Sequence, residues 1–436
     1  MKRLRACTFL SFFAFFILFS STAISQAAQM EIEELKKDAP KVFLDCGMCD
    51  TQYIKTEITY VNYVRDRKEA QVHILITTLS TGSGGREYTI SFIGQLDFEG
   101  INDTHKYFSE QTETKDEIRE GLADALKIGL MSYVAKTPIA SRINISYTEQ
   151  VQQAAVKDKW DYWVFRLSGD ARLHGQKSYD SSSLSSSLSA SRITEDLKIR
   201  LSASVNHRRE FFSYEDGGEE ISVESQTDSM NFEGLFTQSL GDHWSVGAFI
   251  RADSSTYQNV RFSINPAPAI EFNLFPYSES TRRQLRFLYR IGYKSVKYRE
   301  ITIYDKLSEN LWNESLSITL DLKEKWGSIS TSLSGSHYFH DFSKNRLNLF
   351  TILNIRLLKG LSVFAFGGGS RIHDQLSLPK GGATLEEILL HIKQLETNYD
   401  YFFSVGLSFT FGSIFTNVVN PRFGSSGSGG ISIIID

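Results

Sequence analysis

From Trp163 onward the chain alternates apolar and polar residues with a period of two, and that pattern limits its fold more than any other feature. In Trp163-Val164-Phe165-Arg166-Leu167-Ser168-Gly169-Asp170-Ala171-Arg172-Leu173-His174 the odd positions are apolar or small and most even ones are polar. Leu197, Ile199, Leu201, Ala203 and Val205 repeat it against Lys198, Arg200, Ser202, Ser204 and Asn206. The alternation returns at 244–253, 285–294, 316–322 and 347–357. Successive strand residues point to opposite faces, so each segment has one apolar and one wet face. A soluble sandwich meets that description, and so does an outer-membrane barrel.

Three features favour the barrel. Short connectors near 241–243, 323–326 and 359–360 alternate with longer, charged ones near 215–220, 300–310 and 375–398, the habit of barrels that keep tight turns on the periplasmic side. Trp160, Trp244 and Trp326 fall beside the short turns and Trp312 near the opposite rim, where an amphipathic indole suits a membrane interface. The stretch Ser404-Val405-Gly406-Leu407-Ser408-Phe409-Thr410-Phe411 resembles a C-terminal insertion signal of outer-membrane barrel proteins, with Ser404, Gly406, Phe409 and Phe411 in the expected places. Such a signal usually ends the chain, whereas here 412–436 follow. These turns predict a mainly β fold: an antiparallel transmembrane β-barrel of about twelve strands, beginning near 160, 183, 196, 220, 243, 258, 283, 311, 327, 346, 361 and 399.

The beginning of the chain fits export. Lys2, Arg3 and Arg5 precede an apolar run from Ala6 to Phe19, and Ala23-Ile24-Ser25 offers small residues for cleavage. The expected layout is a signal peptide over 1–25, a periplasmic α/β domain with its linker over 26–159, the barrel over 160–411, and a tail over 412–436. A hydrophobic content of 41% is low for a helical membrane protein but suits a barrel, where only alternate residues meet lipid. A net charge of -4 gives no reason to expect nucleic acid.

The region 41–147 reads as a compact α/β unit with two helices on one face of a sheet. Lys41–Leu44 is a short strand; Tyr53, Ile54, Ile58, Val61 and Val64 could line a helix, although their β-branching keeps a strand open. Gln71–Leu79 and Glu87–Phe98 are β-rich runs around a Thr81–Gly85 hairpin loop, which lacks the lysine and trailing helix of a phosphate-binding loop. Thr114-Lys115-Asp116-Glu117 is a capping box opening a helix with Ile118, Leu122, Leu126 and Leu130 on one face. Ile143–Tyr147 is expected as the closing strand. Cys46 and Cys49 flank Gly47-Met48 with no second pair for zinc and no convincing strand-then-helix redox context, so a small structural disulfide is expected.

Beyond architecture, the signal, the periplasmic domain and the segment from Phe411-Gly412-Ser413-Ile414-Phe415 to Val419-Asn420-Pro421-Arg422-Phe423 resemble a group of uncharacterised outer-membrane proteins of Bacteroidota-like bacteria. The resemblance implies a location and no chemistry.

Charges on the lumen side are the functional candidates: Arg166, Asp170, Arg172, Lys198, Arg200, Arg251, Asp253, Arg286, Arg290 and Arg356. Basic residues outnumber acidic ones there, which favours an anionic solute; an internal network of ion pairs bracing the wall is the competing account. Ser334, Ser336, His337, His340 and Asp341 suggest a hydrolase, but alternation splits them between faces, and no enzyme activity, cofactor or metal is expected. Thr384-Leu385-Glu386-Glu387 opens an amphipathic stretch in the longest connector, expected to plug or cover the lumen. The reading that results is a narrow or plugged outer-membrane channel for small solutes. A docking barrel that anchors a periplasmic interaction domain is the alternative, and an outer-membrane hydrolase ranks last. Its partners would be outer-membrane lipid, the barrel-assembly machinery during insertion, and a periplasmic protein bound by the N-terminal domain.

Overall fold

A computed structural model describes residues 38–82, 84–145, 158–216, 219–381, 393–416, 419 and 422. The expected signal peptide, the end of the expected Ile143–Tyr147 strand, most of the linker and the Thr384 stretch lie outside the described residues. No helix among the described residues is long and apolar enough to cross a membrane. The chain forms two units, one made of 1–78, 87–153 and 410–436, the other of 79–86 and 154–409.

The first unit is built on a five-stranded sheet in the order β2-β1-β3-β4-β5, formed by β1 (Lys41–Asp45), β2 (Asn62–Tyr63), β3 (Val72–Ser80), β4 (Arg86–Gly94) and β5 (Asn102–Ser109). β1 runs parallel to both β2 and β3. Helix α1 (Thr51–Glu57) follows the Cys46–Cys49 turn; Asp50 caps it by accepting from the Tyr53 N–H at 3.0 Å. It stops at Glu57, because the Ile58–Val61 stretch is β-branched and aromatic and loses side-chain freedom in a helix. Val61 and Val64 therefore flank β2 instead of extending a helical face. Helix α2 (Lys115–Val134) carries the expected capping box, with Thr114 Oγ1 accepting from Glu117 N–H and Glu117 Oε2 accepting from Thr114 N–H. Ile54 of α1 and Leu122, Leu126 and Leu130 of α2 join Ile74, Ile90 and Phe92 of the sheet in one core.

Two expectations change here. Residues 138–142 form a 3-10 turn, and 143–145 are irregular rather than a closing strand. The fifth strand is β5, whose Asn-Asp-Thr-His-Lys opening carries too few apolar residues to announce an edge strand. Cys46 and Cys49 sit at disulfide distance, with Cα atoms 5.6 Å apart. A strand and a helix do flank the pair, contrary to the expectation, but both cysteines pack against the apolar core. A further strand-like contact comes from the far end of the chain. Arg65 N–H donates to Ile414 O and Thr416 N–H to Tyr63 O, each at 2.8 Å, around an antiparallel bridge between Val64 and Phe415. The segment after the last strand thus lies against the β2 edge.

The second unit contains one antiparallel sheet of twelve strands in strict sequence order. They are β6 (Trp163–Gln176), β7 (Tyr179–Ile193), β8 (Leu197–Asp216), β9 (Glu219–Ser239), β10 (Trp244–Ser255), β11 (Val260–Asn273), β12 (Arg283–Tyr298), β13 (Ser308–Glu324), β14 (Gly327–Tyr338), β15 (Asp341–Leu358), β16 (Leu361–Ile372) and β17 (Tyr399–Phe409). β6 and β17 stand at the margins, each with one neighbour. In place of the long connector expected at 215–220, β8 and β9 continue to Asp216 and Glu219. Connector 274–282 is long although it shares an end with the short turns 325–326 and 359–360. Connector length therefore separates the two ends less cleanly than the sequence suggested. Pro266 and Pro268 have no N–H to donate, and pairing of β11 with β12 stops between Ile264↔Ser295 and Ala269↔Arg290 before resuming in register.

Candidate functional site: a polar concave face

The register carries one polar row across half the sheet. Arg166 faces Ser189, Ser189 faces Ser202, Ser202 faces Glu233, Glu233 faces Arg251, and Arg251 faces Asn265. Directly opposed residues share a face, so all ten charged candidates lie on the same side. The other side carries Phe165, Leu201, Phe232, Ile250, Ile291 and Leu316, interrupted by polar residues such as Ser186 and the paired Glu314 and His337. Aromatic pairs mark both ends of that apolar face: Trp244 against Phe272 at 4.7 Å near the short turns, and Tyr293 against Trp312 at 5.0 Å near the opposite end. Beyond Val205 and Met230 the apolar face turns charged, with His207 paired to Asp228 at 2.7 Å and Arg209 to Glu224 at 2.6 Å.

The polar face is concave. Residues from seven consecutive strands, β8 to β14, line a single cavity of 620 Å³, which a flat sheet could not enclose. Arg200, Arg251 and Arg290 project into it with Glu233, alongside the apolar side chains Leu235, Phe249 and Ala267. The Arg290 guanidinium sits 5.0 Å over the Phe249 ring, and its Nε donates to Ser315 Oγ at 3.1 Å. Arg251 is 3.7 Å from carboxylate oxygens of both Glu233 and Asp253, too far for a good hydrogen bond.

A second cavity of 380 Å³ adjoins the first. Arg251, Asn265, Asn313 and Ser336 line both and form the neck between them. Asn313 Nδ2 reaches Asn265 Oδ1 at 3.5 Å across Gly292, where a Cβ would stand 2.6 Å from oxygens of both amides. Glycine is the residue that leaves the neck its polar lining. The second cavity is bounded by Lys294, Arg346 and Asp374 and by the connector between β16 and β17.

That connector runs across the end of the sheet. Ile303 N–H donates to Leu378 O and Lys380 N–H to Ile301 O, each at 2.9 Å, and Gln394 N–H donates to Tyr257 O at 3.1 Å. Asn259, at the β10–β11 turn with φ +57°, holds it: its amide donates to Ser377 O at 2.9 Å and to Glu300 O at 3.1 Å, and its Oδ1 accepts from Glu300 N–H at 2.7 Å. Leu376 and Leu378 are buried beneath this crossing.

The remaining candidates do not converge on the cavity. Asp170 and Arg172 pair with each other at 3.2 Å on marginal strand β6, which also carries Arg166. Arg286 lies 3.8 Å from Glu271, Lys198 sits near the same turn end, and Arg356 donates to Lys325 O at 3.4 Å. Of the hydrolase set, Ser334 and Ser336 lie on the polar face, whereas His337 pairs with Glu314 at 2.7 Å on the apolar side. Ser404 and Gly406 of the terminal segment face inward, Phe409 ends β17, and Phe411 lies beyond it; the Phe364 ring occupies the space that a Cβ on Gly406 would need. Sequence reasoning missed Glu233, Asn265, Asn313 and Phe249, although alternation assigns all four to the polar face. No family model matches the chain, and neither curated proteins nor solved structures give a match.

Proposed function

We propose that the chain is an outer-membrane β-barrel protein of the Bacteroidota-like kind, acting as a narrow, covered channel for small anionic solutes, with its α/β unit in the periplasm. One observation carries this reading: a twelve-stranded antiparallel sheet that is apolar outside and aromatic at both ends, with a polar concave face. The outward row of β13 from Trp312 to Leu322, apolar apart from Glu314 paired to His337, extends about 25 Å, taking a strand rise of ~3.4 Å and a barrel tilt of roughly 40°. That matches the hydrocarbon band of an outer membrane. Closure of the sheet by contact between β6 and β17 belongs to the proposal. So do insertion through an assembly machinery reading Ser404–Phe411, a non-enzymatic role, and a periplasmic protein partner.

Single-channel recording in planar bilayers tests it. The protein is expected to conduct small anions, and Asn259→Ala, which frees the crossing connector, is expected to raise the open probability. No current from either form would end the channel reading and leave the docking role. A specific observation favours that role as second reading: residues 414–416 pair with the α/β unit, so the far end of the barrel polypeptide returns to that unit.

A further inference from the structure

We propose that the 620 Å³ cavity is a binding site for an organic dianion with a flat apolar body, held by Arg200, Arg251 and Arg290 against Phe249 and Leu235. This rests on the reading of the concave face as a channel lumen. Three guanidiniums meet one carboxylate in the lining and Asp253 beside it in the adjoining cavity, so the positive charges exceed the neighbouring carboxylates by one. Arg251 reaches its carboxylates only at 3.7 Å, Arg290 is anchored by a neutral hydroxyl and a ring, and no carboxylate among the described residues lies within ion-pairing distance of Arg200. Arg200 and Arg251 stay exposed within the recess, so their N–H donors are open to an incoming anion, and guanidinium forks bind carboxylate or phosphate through paired N–H donors.

The walls say what else the ion carries. Phe249, Leu235 and Ala267 give the cavity an apolar side that a bare inorganic anion would leave wet. Its volume falls among clefts that enclose small organic ligands, roughly 300–1,000 Å³. Asn265, Asn313 and Ser336 at the neck supply further polar contacts on the side facing the second cavity. The arrangement orients a solute with its charged end on the arginines and its flat body along Phe249.

The test is equilibrium binding to the full-length protein in detergent, using 4-nitrophenyl phosphate, phthalate, inorganic phosphate and benzyl alcohol as probes. Both aromatic dianions are expected to bind, inorganic phosphate about tenfold more weakly or worse, and the neutral alcohol not at all. Arg200→Gln or Arg251→Gln should each weaken the dianions by about tenfold with the far-ultraviolet β spectrum unchanged. Phe249→Ala should bring 4-nitrophenyl phosphate down to the level of inorganic phosphate; if that variant does not fold, the phosphate comparison on the unaltered protein decides alone. Equal affinity for the two phosphates, absence of binding by both aromatic dianions, or binding that survives replacement of all three arginines would overturn the site. Conduction without dianion binding would remove the site and leave the channel; binding without conduction would do the reverse.

Discussion

The two sheets of this chain use the same alternating grammar with opposite sense. In the α/β unit the large apolar residues are inside: Ile90 and Phe92 are fully buried beneath α2. In the twelve-stranded sheet many large apolar residues point away, with Leu173 84% and Leu407 73% exposed, while serine, asparagine and arginine line the concavity beside Phe249 and Leu235. Burial from water is needed in both. The α/β unit finds it within its own chain, and in the proposed membrane reading the long sheet would find it in lipid. Period-two patterning therefore marks which residues share a face, and the surroundings decide which face is dry.

The sharpest way to break this contrast is to remove one large residue from each region. Phe92→Ala should destabilise the α/β unit by about 3–5 kcal/mol, seen as a collapsed denaturation midpoint, because the ring packs against Gly129 of α2 and Tyr133. Leu407→Ala in detergent should shift unfolding of the long sheet far less; a loss as large as that of Phe92→Ala would mean that the outer face is packed against protein. Charge insertion sharpens the same point. Leu316→Arg should cost about 2–4 kcal/mol of stability in lipid, and Ser317→Arg, one residue along and on the concave side, much less. Equal penalties in refolding titrations would contradict the assignment of faces.

Smaller effects belong to the α/β unit alone. Thr114→Ala removes the hydroxyl that accepts from Glu117 N–H and should cost about 1 kcal/mol, measured by thermal unfolding. Burial pushes the Tyr60 and Tyr133 phenols up to about 12 from an ordinary value of 10.0. A raised phenol favours folding fully below pH 10 and loses that contribution as pH rises through 12. The α/β unit should therefore loosen across that window while strand signal from the long sheet persists, as tyrosinate absorbance and circular dichroism would report. Unfolding of both units together would show that they are not independently stable.

Most of the long sheet was legible because alternation recurs over whole strands: all twelve begin within a few residues of the positions the pattern indicates. The expected loop at 215–220 misled because its charged, glycine-bearing composition hides strand residues, and β8 and β9 pair as far as Asp216 and Glu219. β5 was hidden because an edge strand buries little and its polar residues carry no periodic signal. For the site, alternation placed Arg200, Arg251 and Arg290 on one face but could not bring them together. Their convergence depends on curvature accumulated over seven strands, which no local window contains. Asn265 and Asn313 were passed over because uncharged amides resemble solvated surface until Gly292 brings them within reach of each other.

The contact of Thr416 with Tyr63 joins residues 353 positions apart. During synthesis the α/β unit emerges long before Phe415, so its β2 margin waits for this segment until the long sheet has been made. Any intermediate halted before Phe415 leaves that backbone edge bare and able to recruit a stray strand. A truncation between Phe409 and Phe415 should therefore be felt first in the α/β unit.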